Sequence, residues 1–426
     1  MLPCAGRPGR EIDWLTAVFT ATSAMCVTGH TVVDTGSYFS HFGQLVILAL
    51  VQIGGLGFMT MAMAFLIIAG RRLSLRSETA LTFSMGLQDV RQIKDFLVRT
   101  VLLALGIELI AAVIIALCLM ARHGLPADRA FYHGVFHAVS AFCNAGFSLY
   151  PDNLVGWRND LIALFPVMIL IVLGNIGFLV LSELYHHWRG LERGRKALSL
   201  HSRIVLAGSF ILILAGWAGY TAFEWGNIFA PLPDRIDKLI CALFQSVSAR
   251  TAGFNTVEFA PAHPATKFMT IVFMFIGGAP GSAAGGIKVT TMAVLIFTAL
   301  AMVRNRRNIT ILGRTISAGV VGMALSVFLM GLIFILGLFG LLLITEEGSL
   351  AAGRFTFEDL LFDAVSAFGT VGLSTGIMPL LTAAGKLIMV AGMFVGRVGP
   401  LTLALFIGMK EERELVRYPE EDVIIG

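Results

Sequence analysis

The chain has 426 residues, of which 57% are apolar and only 14% charged, and its mean hydropathy is +0.83. Soluble domains carry roughly a quarter charged residues, so a soluble enzyme of ordinary composition is excluded. Runs of about 20 apolar residues, enough to cross a bilayer, recur throughout and leave no room for a large soluble domain. The net charge of +4 is too small to argue for nucleic acid as a partner, and its distribution says more than its sum.

The N-terminus, MLPCAGRPGREID, has no apolar core of the kind a cleavable signal peptide requires. A short semi-polar element follows Asp13 and ends in SAMCVTGH (23–30), and a hydrophobic span is predicted near 43–70. The next span lies near 98–121. A second short element follows Asp128, ends in SAFCNAGF (140–147), and leads into a span near 160–188. A span near 204–224 precedes a third short element, which follows Asp234 and ends in SARTAGF (248–254). Beyond it runs a long apolar stretch, 267–303. The span near 315–345, a short element after Glu358 ending in SAFGTVGL (366–373), and a span near 380–409 complete the chain. The short elements are too short to cross.

Lys and Arg are concentrated in 71–99, 189–203, 304–314 and the tail, which together hold 18, against 11 in the alternate segments. Cytoplasmic loops retain positive charge, so the four short elements are expected to face outward and the C-terminus inward. Lys288 and Arg397 fall inside apolar spans. Cys4, Cys26, Cys118, Cys143 and Cys241 are widely spaced, without a CxxC or Cys/His cluster, and read as packing residues. His133 and His137 have the i, i+4 spacing of metal ligands but no third ligand nearby, so packing is the expectation for them too.

The order of elements is itself a repeat. Each short element ends in Ser-Ala, a few residues, then a glycine: Gly29, Gly146, Gly253 and Gly372, at intervals of 117, 107 and 119. The third copy is one residue shorter between its Ser-Ala and its glycine. A second glycine follows each, Gly54, Gly174, Gly277 and Gly396, at 25, 28, 24 and 24 residues. Two landmarks in four copies make chance repetition an unattractive account. The predicted fold is an all-α integral membrane protein of four tandem helix–loop–helix units around a central pore: 1–97, 98–203, 204–314 and 315–426.

Irregular backbone is tolerated at membrane depth only where it is buried in protein or lines a watery cavity. A half-length helix ending there directs its unpaired carbonyls and the negative end of its dipole at the axis. The object on that axis should therefore be a cation, and loop carbonyls replacing a hydration shell are how potassium filters select. The alternative for any single loop is that its glycine only permits close helix packing. Four loops with one frame favour the pore.

These motifs resemble the Trk/Ktr/HKT superfamily of potassium transporters, and most closely its bacterial pore-forming membrane subunits. The resemblance rests on TATSAMCVTGHTVVDTG (20–36), QIGGLGFMT (52–60), HAVSAFCNAGFSLYPDN (137–153), QSVSARTAGFNT (245–256), GGAPGSAAGGIKVTT (277–291), DAVSAFGTVGLSTG (363–376) and GRVGPLTLALF (396–406), in the family's order. It implies a homodimer in the cell membrane above a cytoplasmic nucleotide-binding regulatory subunit of the RCK/KTN type. It also implies no cofactor bound by this chain and transported potassium as the cargo. Carried over, the filter is Val27, Thr28 and Gly29; Asn144, Ala145 and Gly146; Thr251, Ala252 and Gly253; and Thr370, Val371 and Gly372. Plant members that conduct mainly sodium have serine at the first filter glycine, where this chain has Gly29, so potassium is favoured, with sodium permeation or coupling as the alternative. The family usually has an aliphatic residue where His30 stands.

The stretch 277–287 breaks its span with Gly277, Gly278, Pro280, Gly281, Gly285 and Gly286. Proline and glycine interrupt the helical ladder, so the span is two helices with an insert. The resemblance implies an intramembrane gate below the filter, the alternative being a mere kink. GSAAGGIK approaches a phosphate-binding loop, but Lys288 comes one residue late, no Ser/Thr follows it directly and the stretch lies at membrane depth, so nucleotide binding there is rejected. Charges at membrane depth need water or a partner. Arg397 is expected to project below the filter and hold the insert by its carbonyls, or else to pair with Glu108 or Glu183. Lys288 is expected near the insert or reaching to the cytoplasmic interface. Asp34, Asp152 and Glu258 stand shortly after loop glycines, either concentrating cations at the outer mouth or serving as solvated loop charges. The family's first unit begins with a full spanning helix, and only 28 residues precede Gly29 here. The favoured expectation is a start site upstream, encoding about 20 more apolar residues, the alternative being a truncated copy. Nothing in the sequence predicts an enzyme: no HExxH and no clustered intramembrane aspartates are present.

Overall fold

The computed structural model describes residues 5–9, 12–57, 93–188, 198–306 and 308–399. The far part of the 43–70 span, most of the basic segments 71–99 and 189–203, Cys4, the C-terminal part of the 380–409 span and the tail lie outside the described residues. In chain order the helices are α1 (Trp14–Met25), α2 (Thr35–Tyr38), α3 (His41–Gly55), α4 (Ile93–His123), α5 (Ala127–Phe142), α6 (Leu161–Ile176), α7 (Phe178–Trp188) and α8 (Leu200–Glu224). They continue with α9 (Arg235–Ser248), α10 (Pro264–Phe275), α11 (Val289–Val303), α12 (Ala318–Thr345), α13 (Glu347–Ala351), α14 (Phe357–Gly369) and α15 (Ala383–Val398). A two-residue hairpin, Thr310–Ile311 against Arg314–Thr315, joins α11 to α12.

Three described helices are long and apolar enough to cross a membrane: Val98–His123 within α4, α8 and α12. At about 1.5 Å per residue each exceeds the roughly 30 Å hydrocarbon core. Their outer faces carry Leu109, Ile110, Phe210, Ile211, Ile333 and Ile344, all more than half exposed. Such surface would be a large apolar liability in water and is matched to lipid. By contrast α1, α5, α9 and α14 have 12, 16, 14 and 13 residues, too short to span. Their starts follow local chemistry. The Asp13 carboxylate accepts the Thr16 N–H at the head of α1, and Thr356 and Asp359 form a reciprocal capping box at the head of α14. Asp128 lies in the first turn of α5, Asp234 is the N-cap of α9, and Glu358 lies in the first turn of α14.

Each long helix is fastened at its end to the N-cap of the helix that follows the next loop. Glu224, closing α8 and fully buried, accepts the His263 N–H at 2.9 Å and the Asn227 amide at 2.8 Å. Glu346, after α12, accepts the N–H and hydroxyl of Thr382 at 2.9 and 2.6 Å. His123 at the end of α4 stands 3.4 Å from Asp160, which caps α6. Ser40, the N-cap of α3, instead donates its N–H to the Ala5 carbonyl at 2.9 Å. These clasps fix the separation of the two helices flanking each loop. A largely buried ion pair, Lys267 to Asp359 at 2.8 Å, ties α10 to α14.

One expected span differs. Residues 160–188 form not one helix but α6 and α7, bent by 103°. The break is at Gly177, with φ +90°, and it is occupied by the 277–287 insert: Ala279 donates to the Asn175 carbonyl at 2.9 Å and Phe178 donates to that of Gly281 at 3.0 Å. The apolar stretch 267–303 divides as expected, with α10 ending at Phe275 and α11 beginning at Val289.

Candidate functional site: four loops in a closed ring

The C-termini of α1, α5, α9 and α14 run into loops of one backbone shape. Val27, Asn144, Thr251 and Thr370, the first residue of each, are left-handed at φ 56°, 55°, 61° and 49°, and Gly29, Gly146, Gly253 and Gly372 two residues on have φ between 67° and 91°. A side chain at the glycine is strained by roughly 1–2 kcal/mol in such a conformation. The turn is closed by the serine of each Ser-Ala pair. Thr28, Ala145 and Val371 donate their N–H to the carbonyls of Ser23, Ser140 and Ser366 at 2.8, 2.7 and 2.9 Å. In the shorter third copy Ala252 donates to Ser248 at 3.0 Å, so the missing residue is absorbed by a turn one residue tighter. The serine hydroxyls work in two pairs. Those of Ser23 and Ser366 accept from Gly29 and Gly372 N–H at 3.1 Å, and those of Ser140 and Ser248 donate to the carbonyls of Phe147 and Phe254.

The loops meet in cyclic order. A Cβ added to Gly29 would strike the Ala145 carbonyl, one on Gly146 that of Ala252, one on Gly253 that of Val371, and one on Gly372 that of Thr28. Each added Cβ would also come within 2.9–3.2 Å of the next loop's glycine Cα, and the cycle closes from fourth to first. All twelve loop residues named from the sequence are therefore gathered at one place, with four helix C-termini converging on it. Partial negative charge at those ends and the carbonyls of the middle residues make the ring attractive to a cation.

Above the ring is a cavity of about 370 Å³ lined by Gly29, Gly146 and Gly372, with Asp34, Asp152 and Glu258 at its wall. Asp34 also caps α2, accepting the Ser37 N–H at 2.9 Å. His133 and His137 are stacked rings 6.0 Å apart, and His137 also packs on Tyr150 and Trp157. No cluster of three metal-ligating side chains occurs among the described residues. Among them Cys26, Cys118, Cys143 and Cys241 are free thiols.

Below the ring the second glycines allow the following helices to touch the short ones. A Cβ on Gly54, Gly174 or Gly396 would hit the carbonyl of Met25, Phe142 or Phe368. Gly277, the fourth, lies instead against the Gly285 carbonyl within the insert. Gly285 is pressed against the Thr370 side chain and Gly278 against that of Asn175, so the insert sits directly beneath two of the loops. Arg397, at the end of α15, donates one guanidinium nitrogen to the Ala283 carbonyl and another to that of Gly54. Neither Glu108 nor Glu183 is its partner: Glu108 accepts from Gln52 at 3.1 Å, and Glu183 accepts from the Ser199 hydroxyl at 2.7 Å. Lys288 does not reach away from the insert but donates to the Ala284 carbonyl at 2.7 Å. Pro280 abuts the break at Gly177, and Gly281 and Gly286 take φ of +66°.

Two residues of this site are not singled out by sequence reasoning. Asn175 donates to the Arg250 carbonyl at 2.8 Å, accepts the Thr251 hydroxyl at 3.4 Å, and by its own carbonyl holds Ala279. It thus joins the third loop to the insert. Arg250, counted from the sequence among outward-facing charges, is in fact 3% exposed and bonded to Ser209 at 3.1 Å. The charge asymmetry survives its removal. Asn175→Leu leaves the Arg250 carbonyl and Thr251 hydroxyl without this partner, at about 1–3 kcal/mol each when buried. The expected outcome is a lower thermal inactivation temperature of the purified protein.

The family model described as "TrkH: Cation transport protein" matches residues 6–418. A Bacillus subtilis relative, Ktr system potassium uptake protein B, is 37% identical over 98% of this chain and 91% of its own length. Potassium/sodium uptake protein NtpJ of Enterococcus hirae is 32% identical over 100% of this chain and 92% of its own. The crystal structure of the potassium transporter TrkH from Vibrio parahaemolyticus superposes with a TM-score of 0.66 at 18% identity, covering 94% of this chain and 79% of that one.

Proposed function

The chain belongs to the TrkH family of cation transport proteins, and from that premise we propose that it is the pore-forming subunit of a potassium uptake system. The observation that carries this reading is the closed ring of four loops, each glycine packed on the next loop's carbonyl. A monovalent cation arriving from the cavity with Asp34, Asp152 and Glu258 exchanges its water for the carbonyls around Gly29, Gly146, Gly253 and Gly372. Selectivity resides in the number and placing of those oxygens, and no covalent reaction is involved. The insert 277–287, held by Arg397 and Lys288, is the gate: it lies against Thr370 and, through Asn175, against Thr251. The Arg397 charge beneath the ring raises the barrier to a cation while the insert is docked.

The four units, 1–97, 98–203, 204–314 and 315–426, assemble around this axis in the cell membrane with the loops outward and the tail in the cytoplasm, as the basic segments favour. The working assembly is a homodimer with a separate nucleotide-binding subunit beneath it. A sodium-permeable or sodium-coupled transporter is the second reading, favoured by the likeness to NtpJ. Growth of a potassium-uptake-deficient strain on limiting potassium, with and without a co-expressed regulatory subunit, tests the proposal. Rescue by the intact chain is expected. Failure of a membrane-inserted, full-length protein to take up potassium in either setting contradicts it.

A further inference from the structure

A buried polar side chain stands three residues before the loop serine on every short helix: Thr20, His137, Gln245 and Asp363, all 3% exposed or less. Three of them bond across to the segment leaving the ring. The His137 Nε2 meets the Ser148 hydroxyl at 3.1 Å, the Gln245 amide donates to the Thr256 hydroxyl at 3.1 Å, and one Asp363 oxygen accepts both the N–H and the hydroxyl of Thr375, at 3.1 and 2.8 Å. These partners lie only two or three residues beyond Gly146, Gly253 and Gly372. The same outer segment reaches the ring itself, since the Asn153 amide donates to the Gly146 carbonyl at 3.3 Å. The first loop differs. The Thr20 hydroxyl has no hydrogen-bond partner among the described residues, and neither does either ring nitrogen of the buried His30 that follows the loop glycine.

We infer that His137, Gln245 and Asp363 are positioning residues that set ion selectivity from behind the ring, by holding the outer limb of three of its four loops. The inference rests on the reading of the ring as the ion path. A loop of this shape is anchored on its inner limb by the serine and on its outer limb by this second tether, so the carbonyls between them have little freedom to close on a smaller ion. The hold is strongest at the fourth loop, where two donors converge on one carboxylate oxygen, and weakest at the first. Mere satisfaction of buried polar groups would also require such bonds, but it predicts an effect on the amount of folded protein and none on the preference of each folded molecule.

The test is rubidium uptake into proteoliposomes with sodium as competitor, normalised to folded protein, using the full-length chain. Thr375→Val removes the hydroxyl donor at nearly constant shape, Thr375→Ser keeps both donors, and Gly372→Ser alters the ring directly. Thr375→Val is expected to lower the preference for rubidium over sodium by up to about tenfold, the fold-change corresponding to one buried hydrogen bond, and Thr375→Ser to stay within about twofold. An unchanged preference in Thr375→Val while Gly372→Ser shifts it overturns the tether and leaves the ring in place. Unchanged preference in both overturns the ring, and the tether with it. Thr256→Val removes the equivalent partner of Gln245, is scored in the same way, and decides the matter if Thr375→Val is not recovered folded.

Discussion

Gly253→Ala is expected to lower potassium uptake at least about tenfold without loss of the protein from the membrane. Gly253 has a φ of +75°, and an added Cβ would strike the Val371 carbonyl of the neighbouring loop. The strain of a left-handed alanine, roughly 1–2 kcal/mol, is only part of the effect. The collision displaces a carbonyl from the place where it would replace water on the ion, and each 1.4 kcal/mol added to the barrier is about a factor of ten in rate. The same substitution at Gly313 is the control: that glycine also has a positive φ, +80°, but an added Cβ there meets nothing within 4 Å. Equal losses at the two positions would mean that backbone strain alone, and not the ring, sets the rate. Initial rates of rubidium uptake by cells, scaled to the amount of chain in the membrane, measure both.

Arg397→Gln is expected to act in the opposite direction. The guanidinium bridges the Ala283 carbonyl in the insert and the Gly54 carbonyl in the first unit, a geometry that depends on two divergent donors. Hydrogen bonds involving a charged partner contribute about 1.5–3 kcal/mol each, so losing two releases the insert by more than one factor of ten in its docked equilibrium. Removing the charge also lowers the barrier to cations below the ring. Maximal uptake without a regulatory subunit should rise about tenfold or more. Arg397→Lys keeps the charge but holds one carbonyl less well than a planar fork holds two, and should fall between. A rate that drops in both variants would assign Arg397 to stability and not to gating.

Much of this site is readable from the sequence, and for a definite reason. A backbone at positive φ selects glycine, so Gly29, Gly146, Gly253 and Gly372 recur where the chain turns, and the Ser-Ala ahead of them recurs because the serine closes each turn. The other left-handed residues, Val27, Asn144, Thr251 and Thr370, carry no such mark, since their conformation is imposed by the closing bonds. The bend at Gly177 is hidden for a different reason. Gly177 is one of 46 glycines, with apolar residues on both sides, and what opens the helix there is an insert more than a hundred positions away. Arg250 misleads because a basic residue between two spans reads as a loop charge, whereas its burial against Ser209 depends on the packing of α8 on α9. The tethers at His137, Gln245 and Asp363 leave a signal that could have been used: a polar residue at one fixed offset before every loop serine, on helices otherwise rich in buried apolar side chains.

Thallium mimics potassium in size and charge and scatters X-rays anomalously, so a crystal of the full-length protein grown with thallium tests the central claim most directly. An anomalous peak on the axis of the ring, among the carbonyls of Thr28, Ala145, Ala252 and Val371, is the predicted result. Thallium found only elsewhere in the molecule, with the ring intact and unoccupied at saturating concentration, would contradict it.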